Sequence, residues 1–213
     1  KGPHFALEKV ELCSDLSFDM LSNGSWKTAT VKPLNLNAMG QKNHTGHFHP
    51  LLKVRQEFRD IFFDMGFTEM PTNRWVENGF WNFDTLFQPQ AHPARDMHDT
   101  FFLSDPATSP DPAPKSYVDA TAEMHTNGGH GSIGWRYPWK LEESQKNILR
   151  THTTAISSRM LYDCAQRKQY QGKFFSIDRV FRNEALDATH LAEFHQVEFM
   201  MMDFNLSLGD LIG

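Results

Sequence analysis

The chain has 213 residues and a formal net charge of −5, with 39% hydrophobic and 22% charged residues. This composition is ordinary for a soluble globular protein and suffices for one domain with a core. The negative sum argues against a dedicated nucleic-acid-binding surface. Because no apolar run approaches 18 residues and no charged-then-apolar leader opens the chain, we expect neither membrane insertion nor secretion. Cys13 and Cys164 lack metal-type spacing, which indicates reduced thiols in a cytosolic protein.

The N-terminal part of the chain is polar up to about residue 45. Its scattered Gly, Asn, Pro and Ser residues predict an extended arm or linker, with at most a short helix at 14–21. A helical pattern then begins at Pro50, and Gly66 suits the C-terminal cap. We expect a short strand at 67–71 to follow. The helix carries an apolar stripe at spacings of three and four: Leu51, Val54, Phe58, Ile61, Phe62 and Met65.

The middle of the chain mixes aromatic and polar residues from 81 to 103, where we expect a loop after Pro89 and a strand at 100–103. A Pro-rich surface loop and a helix at 115–124 follow. The glycine cluster at 128–134 lacks the spacing of a dinucleotide-binding loop and predicts a flexible connection. Two further helices are expected, at 139–150 and at 153–167, the second capped by Thr151 or Thr153.

Two β-prone segments, 174–184 and 193–203, are separated by loop-forming residues and predict an antiparallel hairpin. Side chains two apart on a strand share a face, so Arg182 projects with Glu184. In a generic hairpin such a polar face would simply be solvated. The partner strand adds three more residues to this face: Phe194, Gln196 and Glu198. Its other parity is mainly apolar and suits a core: His195, Val197, Phe199 and Met201.

The hairpin resembles motif 2 of class II aminoacyl-tRNA synthetases, which has an aromatic-Arg-x-Glu strand, a loop with a basic residue and a return strand that begins with Phe. The wording of residues 183 and 187–198 is similar to the α subunit of phenylalanyl-tRNA synthetases of the cytosolic eukaryotic type. Residues 50–71 resemble motif 1, which builds subunit interfaces in that class. Residues 151–154 resemble the family's Thr-His-Thr-Ser/Thr segment. One departure is Phe199, where the family commonly has a glycine.

The resemblance implies an α+β fold, an antiparallel sheet flanked by helices. Residues 1–45 would form the linker, and residues 46–213 a class II catalytic core fragment with motifs 1 and 2. Because motif 3 belongs after the last residue, we expect a sheet that is incomplete at the C-terminus. We also expect this chain alone to have no synthetase activity.

The resemblance further implies a function: ATP-dependent activation of L-phenylalanine to phenylalanyl-adenylate, with Mg²⁺, and transfer to tRNA(Phe). The implied assembly is a cytoplasmic heterotetramer of two α and two β chains. A hydrophobic ring pocket rejects an added hydroxyl only about a hundredfold. Accuracy would therefore need a hydrolytic site, which the family places on the β subunit. The alternative is a catalytically silent fragment or paralogue that acts as a binding or assembly module.

By resemblance, the hairpin supplies the catalytic and ATP-binding residues. Arg182 would bind the α-phosphate, where negative charge accumulates in the transition state, because its planar fork binds phosphate oxygens bidentately. Glu184 would contact either adenine or a bound magnesium, and both alternatives stay open. His190 would reach the pyrophosphate-side oxygens, and Phe194 would stack on adenine.

The phenylalanine-binding residues are also implied by the resemblance. Gln196 and Glu198 offer an acceptor and a carboxylate for the α-ammonium group, and His152 and Thr154 would line the same pocket. Phe102 falls where the family places an aromatic residue, often Trp, beside the substrate. Without the resemblance, His152 would be a capped or solvated residue, and Phe102 a core residue.

Eleven histidines suggest a third hypothesis, a metal-dependent hydrolase. His44, His47 and His49 cluster, but no Cys and no HExxH-type spacing accompanies them. We therefore expect no structural zinc site and assign no metal ligand.

Overall fold

The computed structural model describes residues 5, 11–35, 37–38, 40 and 46–212. The chain divides into two units, residues 1–47 and 48–213. In the described part of the first unit, helix α1 (Phe18–Asn23) begins after Ser17, whose hydroxyl accepts the Met20 amide. It ends at Gly24, whose φ of 76° is a left-handed conformation suited to glycine. A single 3₁₀ turn, Ser25–Lys27, follows.

The second unit opens with helix α2 (Pro50–Asp64), which agrees with the predicted helix to within one residue. Pro50 occupies the first turn, where its missing N–H has no partner to lose. Gly66, with φ of 79°, follows the helix and turns the chain into strand β1 (Thr68–Glu69). The predicted helix and short strand are therefore confirmed.

Helix α2 buries little of its apolar stripe. Phe62 is the buried member, and its ring stacks on Phe175 with centroids 4.6 Å apart and packs edge-on against Phe67. The rest of the stripe is 42–62% exposed: Leu51, Val54, Phe58, Ile61 and Met65. Most of the apolar face of this helix is therefore open to another surface.

The predicted hairpin is confirmed by strands β4 (Gly172–Phe181) and β5 (Glu193–Met202). They pair antiparallel over ten positions, and β1 pairs parallel with β4, giving the sheet order β1-β4-β5. One face of β4 packs on α2 through Phe175 and Ile177. The other face packs on helix α6 (Thr154–Gln166).

The prediction that the apolar parity of β5 forms a core is confirmed only in part. Val197 is 42% exposed, and His195 is exposed too. Phe199 is 41% exposed, but its ring centroid lies 5.8 Å from those of Phe62 and Phe67, and Met201 packs against the same cluster. Within the described residues β5 is the outer strand of its sheet, so α2 covers mainly β4. The polar parity is the more buried one because it faces α6.

A second, two-stranded sheet joins β2 (Val76–Asn78) to β3 (Asn147–Leu149) in antiparallel register. The expected helix at 139–150 is wrong, because only Leu141–Gln145 (α5) is helical and β3 follows it. The expected strand at 100–103 is reduced to a bridge between Phe102 and Ile148. The remaining helices are α3 (Gly79–Asn82), α4 (Lys115–Thr126) and α7 (Leu208–Ile212).

Arg150 is fully buried and joins the two sheets. It donates to the carbonyls of Thr72, Arg74 and Arg179 and forms a 2.7 Å ion pair with Asp178. Desolvation would raise the pKa of Asp178, but hydrogen bonds from the Arg179 amide and from Arg150 outweigh it, so the pKa lies below its usual value. No helix in the described part of the chain is long and apolar enough to cross a bilayer.

Candidate active site

A cleft of about 460 Å³ lies where β4 ends and α6 begins. Three of the residues singled out from the sequence line it: Arg182, Glu184 and His152. The segment that follows α3 contributes further lining residues: Phe83, Leu86, Gln88, Ala94 and Asp99. A larger cavity of about 1300 Å³ lies elsewhere and is lined by none of the predicted site residues.

Arg182 is the residue that follows β4. Its amide donates to the carbonyl of Ala192, which extends the hydrogen-bond ladder of the hairpin by one pair. The Arg182 side chain is thereby fixed on the side of the sheet that faces α6. Its Nε lies 3.5 Å from the carbonyl of Thr151, and its guanidinium carbon lies 5.2 Å from the centroid of the Phe194 ring. Among the described residues its two Nη atoms have no protein partner. The guanidinium is thus oriented but still able to bind an anion.

The loop between the two long strands carries His190, which is exposed and does not line the cleft. Its Nδ1 lies 2.8 Å from Asp187, and its Nε2 lies 4.0 Å from Glu184. Hydrogen bonds from the Thr189 amide and from His190 lower the pKa of Asp187. His190 is therefore within a few ångströms of one cleft residue, on a loop at the rim.

His152 lies deeper, next to Phe83, with ring centroids 6.5 Å apart. Desolvation lowers its pKa, the positive charge of Arg182 adds to this, and the negative charge of Glu198 opposes it. The imidazole is therefore neutral at pH 7. Its Nδ1 is buried and has no well-aligned hydrogen-bond partner among the described residues, although contacts with the backbone of Asn82 and of His152 itself act to raise the pKa. A buried polar atom without a partner is costly, so a ligand that bonds to it would gain affinity.

Gln196 and Glu198 meet the first turn of α6. The amide of Thr153 donates to Gln196 Oε1 at 3.1 Å. Glu198 accepts hydrogen bonds from three hydroxyl groups, those of Thr153 at 3.0 Å, Thr154 at 2.7 Å and Ser157 at 2.5 Å. Thr153 is the N-cap residue of α6, but its hydroxyl donates to Glu198 instead of capping the helix. The structure thus brings Thr154, Gln196 and Glu198 together.

Phe102 lies apart from this group. It bridges to Ile148 of β3, has Lys146 Nζ 5.9 Å from its ring centroid, and is not among the cleft-lining residues. Its substrate-binding role stays a prediction without support from the geometry. The aromatic ring that does line the cleft is Phe83.

Sequence reasoning missed the buried pair that supports the cleft wall. The carboxylate of Asp84 is buried and lies 2.8 Å from Arg95, and it also accepts a hydrogen bond from Trp139 at 3.2 Å. Burial raises the pKa of Asp84, and the charge of Arg95 opposes this. The sequence did contain a signal for this pair: an acidic and a basic residue lie in an otherwise aromatic-rich stretch. Because a buried charge needs a partner, these two residues could have been predicted to pair.

The described residues contain no group of three or more His, Cys, Asp or Glu side chains that could hold a metal ion. Of the histidine cluster, His44 lies outside the described residues, and His49 accepts a hydrogen bond from the Leu51 amide at the start of α2.

Residues 33–213 match the model of the family described as tRNA synthetases class II core domain (F). The chain belongs to this family, and its mixed sheet with flanking helices is the α+β arrangement expected from the sequence.

Within the family, the chain is similar to phenylalanine–tRNA ligase alpha subunits. It is 56% identical over 214 residues to that of Danio rerio, 57% over 215 residues to that of Drosophila melanogaster, and 57% over 212 residues to that of Saccharomyces cerevisiae. Each match covers 100% of this chain but only 42–43% of the relative, so the chain spans less than half the length of these proteins. A solved pyrrolysyl-tRNA synthetase from Desulfitobacterium hafniense matches 70% of this chain and 38% of its own at 14% identity, with a TM-score of 0.45, too distant to carry an argument.

Proposed function

We propose that this chain supplies the amino-acid-activating site of a phenylalanine–tRNA ligase α subunit. The reaction joins L-phenylalanine to ATP as phenylalanyl-adenylate, releases pyrophosphate, and then passes the aminoacyl group to tRNA(Phe). The observation that carries the proposal is the cleft itself, which is lined both by an oriented arginine whose Nη atoms have no hydrogen-bond partner among the described residues and by a buried histidine. The identity of 56–57% to α subunits of that ligase supports it.

On the ATP side, Arg182 binds the α-phosphate and stabilises the negative charge that accumulates there. The Arg182 guanidinium lies over the ring of Phe194. Adenine stacks on this ring. His190, on the exposed loop at the rim, donates a hydrogen bond to the pyrophosphate-side oxygens. Glu184 also lines the cleft and contacts either adenine or the magnesium ion.

Mg²⁺ is the metal that accompanies ATP in this family. It commonly binds through one or two carboxylates together with substrate phosphates, so three protein ligands are not required. Glu184 and Asp99 both line the cleft and offer such carboxylates, which fits the donor set that Mg²⁺ prefers. When bound, the ion neutralises phosphate charge. The Mg²⁺ dependence of ATP binding by a Glu184→Gln variant decides whether Glu184 contacts the ion or adenine.

On the amino-acid side, Gln196 and Glu198 receive the α-ammonium group. A carboxylate has about four acceptor sites, so Glu198 retains capacity beyond the three hydroxyls that orient it. Thr154 acts through Glu198 by fixing its position. His152 offers its unpartnered Nδ1, and Phe83 offers an aromatic wall for the ring of the substrate.

The partner surface is the exposed apolar face of α2. Contiguous exposed apolar residues on a soluble protein commonly mark an interaction site. We assign this face to subunit contacts in a cytoplasmic assembly of two α and two β chains.

The proposal is tested by calorimetry on the full 213-residue chain with non-hydrolysable sulfamoyl analogues of aminoacyl-adenylates. We expect the phenylalanyl analogue to bind at least about a hundredfold more tightly than free phenylalanine, because it fills both sides of the site. The leucyl analogue, which has the same nucleotide part, should bind about tenfold more weakly than the phenylalanyl one. Equal affinity for both analogues, or no binding of either, would reject the proposal.

A further inference from the structure

The cleft wall formed by the segment after α3 contains a residue in an uncommon backbone conformation. Phe87 has φ of 61° and ψ of 22°, the left-handed region that residues with a side chain adopt only where their surroundings hold them. Its two neighbours, Leu86 and Gln88, both line the cleft. Whatever holds Phe87 therefore sets where these two side chains point.

Phe87 is held by the backbone hydrogen bonds of its own turn, from the Phe87 amide to Asp84 and from the Gln88 amide to Phe83, and from another segment by Trp135. The two rings stack with centroids 5.1 Å apart and an interplanar angle of 28°, and Trp135 Nε1 donates to the carbonyl of Phe87 at 3.2 Å. Trp135 is itself anchored, since its amide donates to the carbonyl of His125 at 2.7 Å. His125 also packs its ring against Phe87 at 5.1 Å. Trp135 does not line the cleft, so its effect on the site is indirect.

The segment around Trp135 also forms hydrogen bonds with the segment that carries Phe87. The hydroxyl of Tyr137 accepts a hydrogen bond from the Ala91 amide at 3.2 Å, and the Lys140 amide donates one to Gln90 Oε1 at 2.8 Å. The glycine cluster before it, expected to be a flexible connection, is a tight turn bridged between residues 129 and 132. A Cβ added at Gly128 would overlap the backbone of that turn. The turn formed by this cluster thus places Trp135 against the cleft wall.

We propose that Trp135 is a positioning residue of the activation site, which fixes Phe87 in its left-handed conformation and thereby presents Leu86 and Gln88 to the ligand. The part of this inference that concerns ligand affinity depends on the proposed function. The part that concerns the wall does not, because the order of residues 86–88 can be measured without ligand.

The test uses the full chain with Trp135→Ala and Trp135→Phe. The matched control is Trp26→Ala, which removes a tryptophan of similar exposure, 44% against 41%. Amide hydrogen exchange reports on residues 86–88 in the free protein, and calorimetry with the sulfamoyl analogue of phenylalanyl-adenylate reports on the site. We expect Trp135→Ala to speed exchange at 86–88 about tenfold and to weaken the analogue about tenfold. Trp135→Phe keeps the ring and should restore most of both, and Trp26→Ala should change neither.

Unchanged exchange at 86–88 in Trp135→Ala would overturn the inference, whatever happens to affinity. Faster exchange with full affinity for the analogue would show that the wall is held but does not serve the ligand, which also overturns it. If the unsubstituted chain fails to bind the analogue, the proposed function fails. The exchange data then decide alone whether Trp135 positions the wall.

Discussion

His152 is a residue whose charge state follows from its burial. Because desolvation lowers its pKa below the usual 6.5, the unfolded chain binds a proton more readily than the folded chain as pH falls from about 7. The free energy of unfolding should therefore fall on acidification, by at most about 1.4 kcal/mol per pH unit from this group. His152→Gln should remove that part of the loss.

The measurement is urea unfolding of both proteins at pH 7 and pH 5.5, with His98→Gln at an exposed position as the control. The stability difference between the unsubstituted chain and His152→Gln should shift in favour of the variant at the lower pH. A difference that does not change with pH would contradict the burial argument.

Asp84 and Arg95 are a buried pair whose side chains are 0% and 7% exposed. Removing one member leaves the other charge without its partner, so Asp84→Asn should cost about 3–5 kcal/mol of unfolding free energy. The double variant Asp84→Asn/Arg95→Met should recover part of that loss. The exposed pair Lys115–Asp119 is the control, and Asp119→Asn should change stability by less than about 0.5 kcal/mol. A double variant with fully additive losses would count against the pair.

At the scale of elements, α2 offers two phenylalanines on one helix with different surroundings. Phe62 is 8% exposed and stacks on Phe175, whereas Phe58 is 42% exposed. Phe62→Ala should therefore cost about 3–5 kcal/mol, and Phe58→Ala less than about 1 kcal/mol. Guanidinium unfolding of the two variants tests this. Equal losses would mean that the exposed face of α2 is packed in solution, for example by a second copy of the chain.

The elements that sequence predicted well are those with local signals. Helix α2 has a proline at its start, a glycine after its end and a stripe of helical period, and the hairpin has two β-prone runs on either side of a long loop. Strand β3 was missed because its partner β2 lies about 70 residues earlier, and nothing local announces that pairing. The burial of the two faces of β5 was misjudged because α2 covers mainly β4, which leaves the apolar face of this outer strand partly exposed, whereas α6 covers its polar face.

The same distinction applies to the site. Residues that share a strand face, such as Gln196 and Glu198, could be grouped from the sequence alone because spacing of two defines the face. The hydroxyls that orient Glu198 come from α6, and the residues that Trp135 contacts come from another segment, so only the three-dimensional structure brings these groups together. Phe102 was placed by resemblance; in the structure it bridges to Ile148 of β3 and does not line the cleft, so its role stays a prediction.

At the scale of the whole molecule, the site draws on one hairpin and on the helix that packs against it. In the proposed function Arg182, which follows β4, serves the nucleotide, and Gln196 of β5, which meets the first turn of α6, serves the amino acid. Binding of the nucleotide part and binding of the amino-acid part of the ligand should therefore be weakened by different substitutions.

The most direct test is calorimetry of Arg182→Ala and Gln196→Ala with free phenylalanine and with the sulfamoyl analogue of phenylalanyl-adenylate. Loss of hydrogen bonds from a charged group to phosphate-like oxygens should weaken the analogue about a hundredfold in Arg182→Ala, while free phenylalanine changes by less than about threefold. Gln196→Ala should weaken both ligands. Equal losses for both ligands in Arg182→Ala would contradict the assignment of the two sides of the site.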